Sequence, residues 1–148
     1  MLSQKCQYAI RAIFELAKNH KNGLMKTTEI ARAQAIPSRF LEVILSQLKQ
    51  GGFAGSKRGA QGGYFLTRPP SEITLGDIIS FMEGPLGPVH CLSSHGEMNC
   101  SLQGNCVFMA FWEKIRKLES EIYFGTTFQN LIDDDERIKN NYVNSYAI

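Results

Sequence analysis

Apolar residues in the first fifty positions recur at steps of three and four, the spacing of helices that bury one face. A first helix is predicted over about 3–19, with Ser3 as its capping residue. A short second helix, capped by Thr27, is expected over 28–34, and a third over 38–50 after a tight turn. The predicted inward face of the third helix consists of Phe40, Leu41, Ile44, Leu45 and Leu48.

Beyond the third helix, glycines interrupt the helical spacing and the apolar runs become short. This pattern predicts a hairpin with strands over about 53–57 and 63–67, and with Lys57, Arg58 and Gln61 around its tip. The order of helix, short helix, tight turn, helix and hairpin is that of a winged helix-turn-helix. The predicted fold class is therefore mainly α with a small β-hairpin.

The second half of the chain predicts further helices. A capping box at Thr74 and Asp77 starts a fourth helix, and a long helix is predicted from Val107 to an interruption at Gly125. A short helix is expected next, and the polar residues 133–148 are predicted to form a loosely held tail. The long helix carries an apolar stripe of Phe108, Phe111, Trp112, Ile115, Leu118 and Ile122.

Charge is divided unequally along the chain, although the net charge is only +2. Residues 1–70 carry eleven Lys and Arg against three Glu, a net charge of +8. Residues 71–148 carry five Lys and Arg against eleven acidic residues, a net charge of −6. A basic unit of this kind is suited to meet a polyanion. Together with the order of the elements, this asymmetry predicts that the first seventy residues bind DNA.

The third helix and the hairpin tip supply side chains for such contacts. With the helix in a major groove, Ser38, Arg39 and Glu42 face the bases. Arginine suits a bidentate contact to guanine, and glutamate can accept a hydrogen bond from cytosine. Lys57 and Arg58 are expected to reach phosphates or the minor groove. A solvated helix face and an ordinary hairpin are the structural alternatives for the same residues.

Composition is ordinary for a globular protein, with 43% hydrophobic and 20% charged residues. No apolar run approaches the roughly 20 residues that span a bilayer. The N-terminus lacks the features of a secretory signal, so a cytoplasmic location without membrane contact is expected. The sequence shows no nucleophile–base pair, phosphate-binding loop or paired-carboxylate site, which argues against an enzyme.

Three of the four cysteines, Cys91, Cys100 and Cys106, lie within sixteen residues of a loop rich in Gly, Ser and Asn. In the cytoplasm disulfides are rare, and clustered thiols more often bind metal or react. These residues alone leave four roles open: iron–sulfur ligation, zinc ligation with a histidine, thiol oxidation, and a purely structural role.

The sequence resembles the bacterial Rrf-type winged helix-turn-helix regulators, the family that includes IscR, NsrR, RirA and CymR. Two stretches carry the resemblance, KCQYAIRAIFELA and TTEIARAQAIPSRFLEVILSQLKQGGFAGSKRGAQGGYFLTRPPSEITLGDI. The most specific piece is the wing signature R-G-A-Q-G-G-Y at 58–64, and the similarity extends through C-x5-C at 100–106 to about residue 132. The family more often has Pro-Gly or Ala-Gly where this chain has Ala60-Gln61.

The resemblance implies a homodimer whose long helices cross and which reads a palindromic operator in double-stranded DNA, and we expect it to act as a transcriptional repressor. The apolar stripe of the long helix agrees with this, because it would be too exposed on a lone helix. The family's DNA-reading positions fall on Arg39, Glu42 and Arg58. In the family's arrangement, the neighbours of these positions are expected to be Ser38, Lys57 and Gln61.

The resemblance also implies a cofactor. In cluster-binding members of the family, three cysteines between the winged helix and the long helix hold an iron–sulfur cluster, and Cys91, Cys100 and Cys106 occupy that location. The cluster type, 2Fe–2S or 4Fe–4S, stays open, and an air-purified sample can lack the cluster. The family's histidine ligand position holds Met109 here. The candidates for a fourth ligand are Cys6, Gln7, which stands at the family's carboxylate position, His90 and His95.

The sequence thus predicts four units: a DNA-binding winged helix-turn-helix over 1–83, a cofactor loop over 84–106, a dimerisation helix region over 107–132 and a flexible tail over 133–148. The regulator is expected to sense iron–sulfur, iron, nitric oxide or redox status. One alternative is the same fold without a cluster, responding to a metabolite, a partner protein or thiol oxidation. Another is an iron–sulfur carrier or assembly protein in which the helix-turn-helix is only structural.

Overall fold

The computed structural model describes residues 1–92, 100–102 and 104–146. Within these ranges the chain forms six α-helices, one hairpin and two short 3-10 turns. The helices are α1 (Gln4–Lys18), α2 (Thr27–Gln34), α3 (Ser38–Gln50), α4 (Leu75–Glu83), α5 (Met109–Gly125) and α6 (Phe128–Tyr146). The hairpin consists of β1 (Ala54–Lys57) and β2 (Gly63–Leu66), and the turns are Pro70–Glu72 and His90–Leu92. This order confirms the predicted mainly α fold with a winged helix-turn-helix.

Helix α1 lies at the centre of the core, in contact with α2, α3, α4 and α6. It starts where the sequence predicts, because the Ser3 hydroxyl accepts a hydrogen bond from the Cys6 amide at 3.1 Å. The largest fully buried apolar side chains are Phe128, Ile13, Leu16, Ile30, Leu41, Ile44, Leu45, Leu48, Ile73, Ile78 and Ile79. The N-terminal unit and the beginning of α6 therefore share one core.

A buried carboxylate fixes α1 to the end of α2. Glu15 is buried in α1, where it pairs with Lys18 Nζ at 2.6 Å. Gln34 at the end of α2 donates a hydrogen bond from Nε2 to Glu15 Oε1 at 2.5 Å. Arg11 completes the network by donating to the side-chain and backbone oxygens of Gln34. Burial of the Glu15 charge is tolerated because it is paired and hydrogen-bonded.

The start of α2 differs from expectation by one residue. The helix begins at Thr27, and Lys26 rather than Thr27 takes the capping position. The Glu29 carboxylate accepts a hydrogen bond from the Lys26 amide at 2.6 Å. This bond satisfies a backbone donor that would otherwise be free at the helix start.

One residue of the predicted inward face of α3 is not in the core. Phe40 is 48% exposed, whereas the other four residues of that stripe are buried. Phe40 borders an open apolar groove between α1 and α3, which is also lined by Tyr8 and Val43. Helical spacing identifies a face of α3, but it does not tell how far the neighbouring helix covers that face.

Helix α5 begins at Met109, two residues later than predicted, and ends at Gly125 as expected. Most residues of its apolar stripe are exposed to solvent. The exposed members are Phe108, Phe111, Leu118 and Ile122, and the half-buried ones are Trp112 and Ile115. None of the helices in the described ranges is both long and apolar enough to cross a membrane.

The predicted loosely held tail is helical through residue 146, because α6 continues from Phe128 to Tyr146. Its start is capped by reciprocal hydrogen bonds between Thr127 and Asn130, at 2.9 and 3.1 Å. Oppositely charged side chains then pair along the helix surface, with Lys139 Nζ 2.5 Å from the Asp135 carboxylate. The polar sequence of this segment is compatible with a helix because oppositely charged residues three and four positions apart pair on its surface.

The junction between α5 and α6 is anchored on the start of α4. Thr74 and Thr127 form an antiparallel backbone bridge. On either side of it, the Leu75 amide donates to the Thr126 carbonyl at 2.9 Å, and the Phe128 amide donates to the Ile73 carbonyl at 2.9 Å. The Phe128 ring is 0% exposed. The C-terminal helices are thus fixed to the N-terminal unit at this junction.

We expect the variant Phe128→Ala to lower the free energy of unfolding by about 3–5 kcal/mol, because it leaves a cavity where the junction enters the core. Ile138→Ala on the same helix is the matched control, since Ile138 is exposed. It should change the free energy of unfolding by no more than about 0.5 kcal/mol. Urea denaturation followed by circular dichroism measures both, and equal effects of the two variants would contradict the packing of α6 described above.

Candidate nucleic-acid interface and cysteine segment

The outward face of α3 carries the side chains that the sequence predicts to read DNA. Ser38, Arg39 and Glu42 are all exposed, while the opposite face of the helix is buried against the core. Within the described part of the chain, neither Arg39 nor Glu42 takes part in an ion pair. The Arg39 guanidinium lies 4.8 Å from the centre of the Phe40 ring. Both charged groups therefore remain available to a partner.

The wing, as we call residues 54–66, has a tight glycine turn at its tip. The Gly62 amide donates to the Gly59 carbonyl at 2.9 Å, and Gly59 has a φ of +105°. A Cβ on Gly62 would lie 2.2 Å from the Lys57 carbonyl oxygen, so only glycine fits. This turn presents Arg58 and Gln61 as exposed side chains at the tip, next to exposed Lys57 at the end of β1.

Backbone hydrogen bonds hold the wing against the body of the protein. Tyr64 in β2 and Met25, just before α2, form an antiparallel bridge with N···O distances of 2.8 and 2.9 Å. A Cβ on Gly63 would lie 2.7 Å from the Met25 carbonyl oxygen, so the close approach requires glycine. On the other side, Lys49 Nζ of α3 donates to the Ser56 hydroxyl of β1 at 2.8 Å. The wing therefore keeps a fixed position relative to α3.

Sequence reasoning did not assign three residues that border this surface. Val43 is 56% exposed on α3, beside Glu42. Lys26 and Lys49 line a groove together with the two basic residues of the wing. Helical spacing could have placed Val43 outward, but only the folded chain shows that Lys26, just before α2, lies near the wing.

The three clustered cysteines lie in an irregular segment between α4 and α5. All are free thiols; Cys91 and Cys106 are half-buried and Cys100 is exposed. Cys91 belongs to the 3-10 turn His90–Leu92, and the Cys106 carbonyl accepts a hydrogen bond from the Met109 amide at the start of α5. Across residues 1–92, 100–102 and 104–146, no three His, Cys, Asp or Glu side chains are grouped as a metal site.

The donor chemistry of this segment nevertheless suits an iron–sulfur cluster, because thiolates are the ligands that hold such clusters. Within the described residues, none of the candidates for a fourth ligand is grouped with these cysteines as a metal site. Gln7 is exposed and donates from Nε2 to the Leu2 carbonyl at 3.0 Å. His90 is exposed at the start of the turn that contains Cys91, and His95 lies outside the described residues.

Cys6 is the least suitable of the fourth-ligand candidates. It is 0% exposed in the core, on the same helix as the buried Ala9 and Ile13. Burial raises the pKa of its thiol to about 11, and the charge of Glu83 and a hydrogen bond to it add to the shift. A thiol with this pKa stays protonated near neutral pH, whereas a metal ligand must be a thiolate.

Glu83 joins the end of α4 to the start of α1, directly before the cysteine segment. Its Oε1 accepts hydrogen bonds from the Ser3 amide, at 3.0 Å, and from the Ser3 hydroxyl. The hydrogen bond from the Ser3 hydroxyl is the main cause that lowers the pKa of the Glu83 carboxyl. The carboxylate therefore ties α1 to the point where the chain leaves the winged helix.

A helix-turn-helix with an outward basic and acidic face, and a rigid basic wing beside it, define a DNA-binding protein of the winged-helix class. The family model described as "Rrf2: Iron-dependent Transcriptional regulator" matches residues 2–134. The chain belongs to this Rrf2 family of transcriptional regulators. This confirms the resemblance seen in the sequence.

Individual relatives support the same assignment. The chain is 35% identical over 130 residues to the HTH-type transcriptional regulator CymR of Bacillus subtilis, covering 88% of each protein. Its fold is similar to that of IscR from T. potens, with a TM-score of 0.74 and 31% identity over 93% of this chain and 90% of the other. It is also similar to the oxidized form of Staphylococcus aureus CymR, with a TM-score of 0.67 and 28% identity over 88% and 94%. Relatives of this kind are named as transcriptional regulators, which confirms the expectation that the chain is not an enzyme.

We expect Cys91, Cys100 and Cys106 to react quickly with a thiol reagent in the folded protein, and Cys6 to react only when the protein unfolds. The reason is that the first three thiols are accessible and the fourth is buried with a raised pKa. Ellman's assay before and after addition of denaturant measures the two groups. In Cys6→Ser the slow thiol should disappear, and a fast reaction of Cys6 in the wild type would contradict its burial.

Proposed function

We propose that the protein is a homodimeric repressor that binds a palindromic operator and releases or retains it according to the state of its cysteine segment. The observation that carries this proposal is the fixed position of the basic wing beside the exposed face of α3. Because the Met25–Tyr64 bridge and the Lys49–Ser56 hydrogen bond hold the two together, helix and wing can enter adjacent DNA grooves without rearrangement.

In the DNA complex, α3 lies in the major groove with its first turns against the bases. Arg39 makes a bidentate contact to guanine, Glu42 accepts from a cytosine amino group, and Ser38 contributes a hydroxyl. At the wing tip, Arg58 reaches the minor groove or its phosphates, with Lys57 and Gln61 beside it. The free charges of Arg39 and Glu42, and the exposure of the wing tip, support these roles.

A second copy of the chain covers the apolar stripe of α5. Phe108, Phe111, Leu118 and Ile122 form an exposed apolar face on one helix, which is costly in water. A twofold pair of such helices buries this face and places two winged helices for the two halves of a palindrome.

For control, Cys91, Cys100 and Cys106 would hold an iron–sulfur cluster between α4 and α5. When bound, such a cluster supplies a metal–thiolate centre that is sensitive to iron supply, oxidants and nitric oxide. The chain itself determines where such a cluster would lie. The segment that carries the thiols starts at the Glu83–Ser3 contact and ends at the first turn of α5. Any change in the order of this segment therefore acts between the DNA-binding unit and the dimer helix.

Direct thiol oxidation is the second candidate for control. The specific observation in its favour is that the three thiols are free, accessible and not gathered into a metal site within the described residues. The similarity to an oxidized form of CymR is consistent with it. In this alternative, formation of a disulfide changes the same segment without a metal.

Replacing Arg58 by Ala should weaken binding to DNA and reduce the slope of log K against log salt by about one unit, because one phosphate contact is lost. Fluorescence anisotropy at a series of salt concentrations measures the slope. Arg137→Ala serves as the control, since Arg137 lies on α6, outside α3 and the wing, and pairs with Asp134. An unchanged slope for Arg58→Ala would remove the wing from the interface.

Replacing Cys91, Cys100 or Cys106 by Ala should change how DNA binding responds to anaerobic reconstitution with iron and sulfide, without changing the free energy of unfolding of the apoprotein by more than about 0.5 kcal/mol. Absorbance, iron and sulfide analysis of anaerobically purified protein show whether a cluster is held. A colourless, metal-free wild type whose DNA binding responds to peroxide would favour thiol oxidation. A coloured protein without affinity for DNA would instead indicate an iron–sulfur carrier.

A further inference from the structure

A basic groove lies between α3 and the wing, and its lining includes Lys26 and Thr27 at the start of α2. Four cations line it: Lys26, Lys49, Lys57 and Arg58. No lining residue is acidic, and the rest of the lining is small or hydroxyl-bearing, including Thr27, Ser56, Gly59, Ala60, Gly62 and Gly63. The groove therefore combines positive charge, hydroxyl donors and room for close approach of a backbone.

The walls of this groove are fixed by the fold. The Met25–Tyr64 bridge holds the residue before Lys26 against β2. The hydrogen bond from Lys49 Nζ to the Ser56 hydroxyl joins α3 to β1 within the lining of the groove. The neighbouring acid Glu29 is already engaged, because its carboxylate accepts from the Lys26 amide. A ligand would thus meet a preformed site with four cations.

The position of the groove identifies its occupant. When α3 lies in a major groove and the wing tip in the adjacent minor groove, one sugar–phosphate strand separates the two grooves of the duplex. That strand must pass between α3 and the wing, which is where the basic groove runs. We propose that this groove holds the strand, with Lys26 and Lys49 as phosphate-binding residues that sequence reasoning did not assign.

This inference rests on the proposed DNA-binding function and deepens it. Contacts to phosphates carry no base information, so the groove supplies affinity and register, while Arg39 and Glu42 supply sequence preference. Neutralising Lys26 or Lys49 should therefore weaken binding to every duplex by the same factor. Each lysine that contacts a phosphate should contribute about 0.9 to the slope of log K against log salt.

The test uses the full-length protein and a short random-sequence duplex, with affinities measured by anisotropy over a range of salt. Lys26→Gln and Lys49→Gln should each lower the slope by about 0.9, and the double variant by about twice that. Lys49→Arg should keep the wild-type slope because it keeps the charge. Lys117→Gln on α5 is the control for loss of a surface cation, since Lys117 is highly exposed.

Ser56→Ala separates the charge of Lys49 from its structural hydrogen bond. It removes the bond between α3 and β1 but no charge, so it should leave the salt slope unchanged.

The outcomes distinguish the two proposals. Reduced slopes for the lysine variants, with wild-type slopes for Lys49→Arg, Ser56→Ala and Lys117→Gln, support the groove. Wild-type slopes for Lys26→Gln and Lys49→Gln, in a protein that does bind DNA, overturn the groove but leave the proposed function intact. Failure of the wild type to bind any duplex at low salt overturns both.

Discussion

The backbone bridge between Thr74 and Thr127 is the contact on which the attachment of α5 and α6 to the N-terminal unit depends. It joins the start of α4 to the turn between α5 and α6, and it places Phe128 in the core of the N-terminal unit. Close packing reinforces it, because a Cβ on Gly76 would lie 2.5 Å from the Phe124 ring. Through these contacts, the helix that carries the apolar stripe has a defined direction relative to the exposed face of α3.

Two glycines allow the wing to keep its fixed position. Gly62 allows the turn at the wing tip, and Gly63 allows β2 to approach Met25 within hydrogen-bonding distance. A larger side chain at Gly62 would distort the tip, and one at Gly63 would move β2 away from Met25. The R-G-A-Q-G-G-Y signature thus has two physical functions: it places an arginine at an exposed tip, and it fixes that tip to the body of the protein. Because the wing is already held in place, little further ordering of the chain would be needed for DNA binding.

The sequence alone predicts most of the N-terminal unit, because helical spacing, caps and glycine-rich turns are local signals. Ser3, Thr74 and the hairpin glycines act as expected. Phe40 and the helical tail show the limits: exposure of Phe40 depends on an open groove beside α1, and α6 depends on packing of Phe128 and on paired charges. The placement of the three thiols was least predictable, since irregular segments have no periodicity to read. The DNA-reading roles and the cluster stay predictions.

The anchored end of α5 defines the point about which this helix would tilt. Helix α5 is about 25 Å long at 1.5 Å per residue, and its fixed end is the one opposite the cysteine segment. When a helix tilts about one fixed end, the displacement of its residues grows with their distance from that end. A tilt of about 10° at the Phe124–Gly76 contact corresponds to a swing of about 4 Å at the first turn of α5, given that length. The segment that carries the three thiols therefore adjoins the end of α5 that such a tilt displaces most.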